Sequence, residues 1–147
     1  MKNVKDIKIG IVSSSFRFEI AKNLEKHCLA TLKQKGVKAN QVTIVRVPGS
    51  WEIPLAAKKL AETKVYDAII TFGAIFKGKT YHFEQIANEC ARGCMTVALD
   101  YGLPVVFEVL AVYDPHDAIE RATGKKENKG TEAALTALKM VDVLSKL

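Results

Sequence analysis

The sequence predicts an α/β fold in which helices cover both faces of a four-stranded, mostly parallel sheet. Three observations lead there. Short runs rich in β-branched residues alternate with longer segments of helical period. The strand candidates read as nearly unbroken apolar stretches, as expected where both faces of a sheet are covered. No repeat, low-complexity tract or linker interrupts the alternation, so residues 1–147 are expected to form one domain.

Taken in order, KIGIVSS (8–14) is the first strand, and the helix after it, Phe18–Lys35, stops at Gly36, suited to a left-handed cap. QVTIVRV (41–47) is the second strand. Pro54 opens the next helix, 54–63, where its missing N–H leaves no bond unmade. DAIITFG (67–73) is the third strand, followed by a helix over Tyr81–Asp100. PVVFEVLAV (104–112) is the fourth, followed by a short helix over His116–Arg121. Asn128 or Gly130 starts the last helix, which runs to Lys146 with Ala134, Leu135, Leu138 and Val141 as its apolar stripe.

Composition narrows the function classes. With 48% hydrophobic and 26% charged residues the chain reads as soluble and globular, and no apolar run approaches the roughly 20 residues of a membrane span. Lysines and an aspartate interrupt MKNVKDIKIG, which leaves no signal-peptide core and makes the cytoplasm the expected location. The net charge of +6 is spread over 22 basic residues interleaved with acids. That pattern suits small phosphorylated substrates, and nucleic acid is not an expected partner. Cys28, Cys90 and Cys94 form neither a disulfide framework nor a zinc pattern, and are expected as small buried hydrophobes.

In parallel α/β sheets ligands gather beyond the carboxyl ends of the strands, so the segments following each strand are the place to look. GAIFKGKT (73–80) matches a Walker A pattern letter for letter, but Ala-Ile-Phe continues the strand where a phosphate loop needs a wide turn. The NTPase reading is rejected and its physics kept: backbone N–H groups around Lys79 and Thr80, at a helix N-terminus, are expected to hold a phosphate. His82 falls in the first turn of that helix, where the dipole disfavours imidazolium. A neutral ring beside an anion site is a candidate proton carrier. Glu84 is expected on another face as a partner of the dipole. PGSWEIP (48–54) sets the sole tryptophan, Trp51, beside Glu52, a pairing suited to an aromatic heterocycle bearing hydroxyls. Phe16, in the serine-rich turn after the first strand, is placed to stack on the same ring. Arg121 is a candidate phosphate clamp. The neighbouring Lys125, Lys126 and Lys129 read as a solvated basic turn.

Four segments in this order, VPGSWEIPLAAKKLAE, ITFGAIFKGKTYHFEQIANE, PVVFEVLAVYDPHDAIERA and NKGTEAALTALKM, resemble the lumazine synthase family. The resemblance runs from about Lys8 to the C-terminus. It implies a flavodoxin-like three-layer sandwich and a condensation of 5-amino-6-(D-ribitylamino)uracil with 3,4-dihydroxy-2-butanone 4-phosphate, releasing phosphate and water. Carried over position by position, Phe16 and Trp51 flank the pyrimidine, while the Ser50–Glu52 turn and the backbone of Ala74, Ile75 and Phe76 hold the ring and ribityl chain. Phe107 and Arg121 come from a neighbouring subunit; Lys79, Thr80 and Arg121 bind phosphate, and His82 moves protons. No metal or organic cofactor is implied. The implied assembly is a homopentamer with sites at subunit interfaces, extending in some members to a sixty-subunit shell. One departure from the family pattern is Glu108, a carboxylate next to Phe107. An archaeal-type riboflavin synthase and a non-catalytic binder or shell protein of the same fold stay open; GKTYH speaks against the former.

Overall fold

A computed structural model describes residues 2–147. Its strands are β1 (Ile9–Ser14), β2 (Val42–Val47), β3 (Ala68–Phe76) and β4 (Val105–Val112), and its α-helices are α1 (Phe18–Gln34), α2 (Ile53–Glu62), α3 (His82–Tyr101), α4 (Pro115–Thr123) and α5 (Lys129–Leu144). All strand pairs are parallel, in the order β2-β1-β3-β4. The chain therefore winds outward from β1 in both directions, and the reversal of winding falls between β1 and β3.

The alternation of strand side chains divides the core into two layers. Ile9, Ile11, Ile70, Phe72, Val106 and Leu110 pack against α1, α4 and α5. Val12, Ile69, Ile75 and Val109 pack against α2 and α3, where Cys90 and Cys94 are buried as expected. Complete burial holds for the central strand β1 and nearly all of β3, whereas β2 and β4, at the edges, keep exposed positions such as Thr43 and Phe107.

Several boundaries differ from expectation. β3 runs past the 67–73 bounds to Phe76, along the Ala-Ile-Phe that continues its apolar run, because Ala74, Ile75 and Phe76 pair in register with Leu110, Ala111 and Val112. α4 extends over Pro115–Thr123, started by Asp114, whose side chain accepts from the N–H of His116 at 2.9 Å. Asn128, one of the two expected starts of the last helix, caps α5 by accepting from the N–H groups of Gly130 and Thr131. Leu135 is 42% exposed and does not belong to the buried face of α5, which is Gly130, Ala133, Ala134, Ala137 and Val141. The residues there are small because α5 lies close on α1: a Cβ at position 130 would stand 2.3 Å from the carbonyl oxygen of Leu24. Among the described residues no helix is long and apolar enough to cross a membrane.

Candidate active site

A cavity of about 920 Å³ opens at the reversal point, bounded by the segments that follow β1, β2 and β3 and by the first turns of α3. Its first wall is the turn after β1. The N–H of Ser15 donates to Val47 O at 2.7 Å and that of Phe16 to Pro48 O at 3.0 Å, which ties this turn to the end of β2. The Phe16 ring is left 64% exposed at the mouth.

The second wall is the tight turn Ser50–Glu52. The Glu52 side chain bends back and its Oε2 accepts from the Gly49 N–H at 2.9 Å. That bond shapes the turn and turns Trp51 outward, 57% exposed, where it lines the cavity with Phe16. Ser50 is buried with its hydroxyl against β3. This contact accounts for Gly73: a Cβ there would lie 2.9 Å from Ser50 Oγ. The first glycine of the Walker-like pattern thus serves close packing within a strand, and no phosphate loop begins at it.

The third wall is backbone. β1 pairs with β3 only as far as Ser13–Phe72, while β3 continues four residues further along β4. The bonds from Ile69 N to Pro104 O and from Lys77 N to Val112 O aim odd-numbered residues at β4. By the strand's alternation, the peptide groups of Ala74 and Phe76 face the side where β1 has ended. Donors and acceptors that a longer β1 would have taken are open to the cavity.

The fourth wall is the start of α3, with Gly78, Thr80, Tyr81 and His82. Tyr81, at the N-cap, makes no side-chain cap, so the leading N–H groups are free for an anion. Glu84 pairs with Lys77, bracing the loop against the first turn on a separate face from His82, as its spacing predicts.

The cavity therefore brings together Phe16, Ser50, Trp51, Glu52, Ala74, Ile75, Phe76, Thr80 and His82. It does not bring in Lys79, Phe107 or Arg121. Lys79 is exposed on the loop outside the lining. Phe107 projects from β4, 37% exposed. Arg121 lies on α4, hydrogen-bonded to the carbonyl of Asp117 at 3.1 Å. Sequence reasoning missed Arg17 and the wall formed by Gln85, Asn88 and Glu89. The latter was open to deduction, since positions 85 and 89 follow His82 at helical spacing. No group of three metal-ligating side chains exists among the described residues. Burial lifts Glu108, on β4, to about 7. Burial and the neighbouring Glu25 push the Cys28 thiol up to about 12.

Residues 6–145 match the family model described as 6,7-dimethyl-8-ribityllumazine synthase.

Proposed function

The chain belongs to the 6,7-dimethyl-8-ribityllumazine synthase family, and from that premise we propose that its cavity condenses 5-amino-6-(D-ribitylamino)uracil with 3,4-dihydroxy-2-butanone 4-phosphate. The reading rests on one observation above the others: an aromatic pair, an open strand edge and an uncapped helix end carrying a histidine meet in one cavity.

Each element has a task in the reaction. Phe16 and Trp51 flank the pyrimidine, and the peptide groups of Ala74 and Phe76 read its carbonyl and N–H edge, as a missing strand would. Ser50 and Glu52 take the ribityl hydroxyls; Glu52 keeps Oε1 for them while Oε2 holds the turn. The phosphate sits against the first N–H groups of α3 and the Thr80 hydroxyl, with Lys79 adding charge from the loop. Amine attack on the ketone, loss of water to the imine, elimination of phosphate and ring closure with loss of a second water each move a proton. His82 is placed to carry those protons, and the rest of the catalysis is positioning. No cofactor is needed for these steps.

Phe107 and Arg121 fit this scheme as donations to the cavity of an adjacent copy. Both are accessible, and neither reaches the cavity of its own chain. A closed ring of identical subunits, a pentamer, satisfies that geometry through heterologous contacts, with a sixty-subunit shell as its larger form. A cytoplasmic location accords with the substrates.

The test is direct. Purified protein given both substrates and no added cofactor is expected to produce the lumazine chromophore together with equimolar phosphate. Pyrimidine binding without product would replace the enzyme with a binder of the same fold. Light scattering separates pentamer from shell.

A further inference from the structure

Of the four arginines in the chain, Arg46, Arg92 and Arg121 are each held by a carboxylate, whereas Arg17 has no acidic partner among the described residues. Its guanidinium instead lies 4.1 Å from the centroid of Phe76 and 5.0 Å from that of Phe16, and it lines the cavity.

Three local effects oppose an arginine at this position. Its backbone is left-handed, φ 59° and ψ 42°, a conformation that costs a residue with a Cβ about 1 kcal/mol or more. It is the N-cap of α1, where serine, threonine, aspartate or asparagine normally supplies a hydrogen bond, and its side chain supplies none. It also sets a fixed cation at the positive end of the helix dipole. Asparagine would relieve all three and glycine the first and the third, so nothing in the making of α1 calls for arginine. The side chain's contacts lie in the cavity, on the rings of its aromatic end.

We infer that Arg17 is a specificity-determining residue that presents its N–H fork to the carbonyl edge of the heterocycle clamped by Phe16 and Trp51. Because this assigns a contact to one of the two substrates, it rests on the function proposed above. The geometry selects the ring over the phosphate. Arg17 lies against the aromatic side chains at the ends of β1 and β3, while the N–H groups suited to phosphate belong to α3. A planar guanidinium carries all its N–H donors in its own plane, and these match the in-plane lone pairs of ring carbonyls.

Trp51, the sole tryptophan and part of the lining, gives a binding signal by fluorescence. Ribitylaminouracil and inorganic phosphate are titrated separately into wild type, Arg17→Gly, which suits the left-handed backbone, and Arg17→Lys, which keeps charge but not the fork. Arg17→Gly is expected to weaken pyrimidine binding about 10- to 100-fold, as for loss of charge-assisted hydrogen bonds. Arg17→Lys should restore only part of that affinity, and phosphate affinity should stay within about twofold of wild type. Loss of phosphate affinity with pyrimidine affinity intact overturns the inference, as does unchanged binding of both. If wild type fails to bind the pyrimidine, the proposed function falls as well. If wild type binds it and Arg17→Gly binds equally well, only the inference falls.

Discussion

At the amino ends of the strands, Gln41 donates from Nε2 to the carbonyls of Val4 at 2.8 Å and Ile7 at 2.6 Å, and its Oε1 accepts from Lys38 N at 2.8 Å. Asp67 there accepts from Lys8 N at 2.8 Å and from Lys2 Nζ at 2.6 Å. At the carboxyl ends the corresponding groups are unspoken for: β1 stops short of β3, α3 begins without a side-chain cap, and Phe16 and Trp51 stand more than half exposed. At the amino end these side chains spend their polar groups on tying strand starts together, and the carboxyl end leaves donors, acceptors and rings to a partner from outside. Stability and activity should accordingly separate along the strand axis, and substitutions at the two ends test that separation.

The largest effect is expected at the open end. His82→Ala should lower turnover by about 10²–10⁴-fold, the range of general acid–base assistance. The midpoint of thermal unfolding should hardly move, because His82 is exposed and makes no hydrogen bond to another described side chain. Steady-state kinetics beside calorimetry decides it; a large fall in stability would place His82 in the frame of the protein.

The amino end should behave in the opposite way. Gln41→Ala leaves the Ile7 carbonyl and the Lys38 N–H without this partner and takes from Val4 O one of two donors, the Ile7 N–H remaining, which is worth about 2–3 kcal/mol of folding free energy. Urea titration measures the loss, and kcat/KM at a temperature where the variant is folded should match wild type. A kinetic change comparable with the loss of stability would break the comparison between the ends.

Gly73→Ala lies where the two behaviours meet. The added methyl comes within 2.9 Å of Ser50 Oγ and 3.4 Å of Ile53 Cδ1, so the Ser50–Glu52 turn must shift. Overpacking of this kind costs about 1–2 kcal/mol. The same shift displaces Trp51, so KM for the pyrimidine is expected to rise several-fold with kcat changing less. Unchanged KM would detach Gly73 from the site and leave it a packing residue alone.

The sequence shows the open end unevenly, for physical reasons. Phe16, Trp51, Glu52 and His82 are readable because each directly follows a strand or starts a helix, and topology alone gathers such positions. Gln85 and Glu89 needed one further step, since helical spacing already places them below His82. Arg17 was hidden: a left-handed arginine has no propensity signal, and which rings its side chain meets depends on how far β3 runs beyond β1. The apolar Ala-Ile-Phe run shows that β3 continues, but that β1 stops pairing with it at Ser13–Phe72 is encoded by no local pattern. Leu135 misled because periodicity reports apolar character and not how close two helices approach; small residues at 130, 133, 134 and 137 set that distance. Phe107 and Arg121 were assigned through resemblance, and a single chain places them outside its own cavity.

Glu108 belongs to neither end and gives the smallest expected effect, with the clearest dependence on pH. It lies mid-strand on β4, and the charged groups acting on it are Lys129, which favours its ionised form, and Glu132, which opposes it, both from the first turn of α5. Burial outweighs the lysine and holds the carboxyl at about 7 against an ordinary 4.5. Between those two values the folded chain retains a proton that the unfolded chain has released, so stability declines as pH climbs from about 4.5 to 7 and is level outside that window. At roughly 1.4 kcal/mol per pH unit the full displacement is worth about 3 kcal/mol, and solvent at this half-buried position reduces it to about 1 kcal/mol. Glu108→Gln keeps the shape and removes the titration. Its stability relative to wild type should therefore be near zero at pH 4 and rise to about +1 kcal/mol by pH 8, measured by urea titration across that range. A constant difference at every pH would mean that Lys129 offsets burial and Glu108 ionises in the folded state as it does in the unfolded chain. The adjacent Phe107 would then stand next to a negative charge at neutral pH, in the segment proposed to reach a neighbour's cavity.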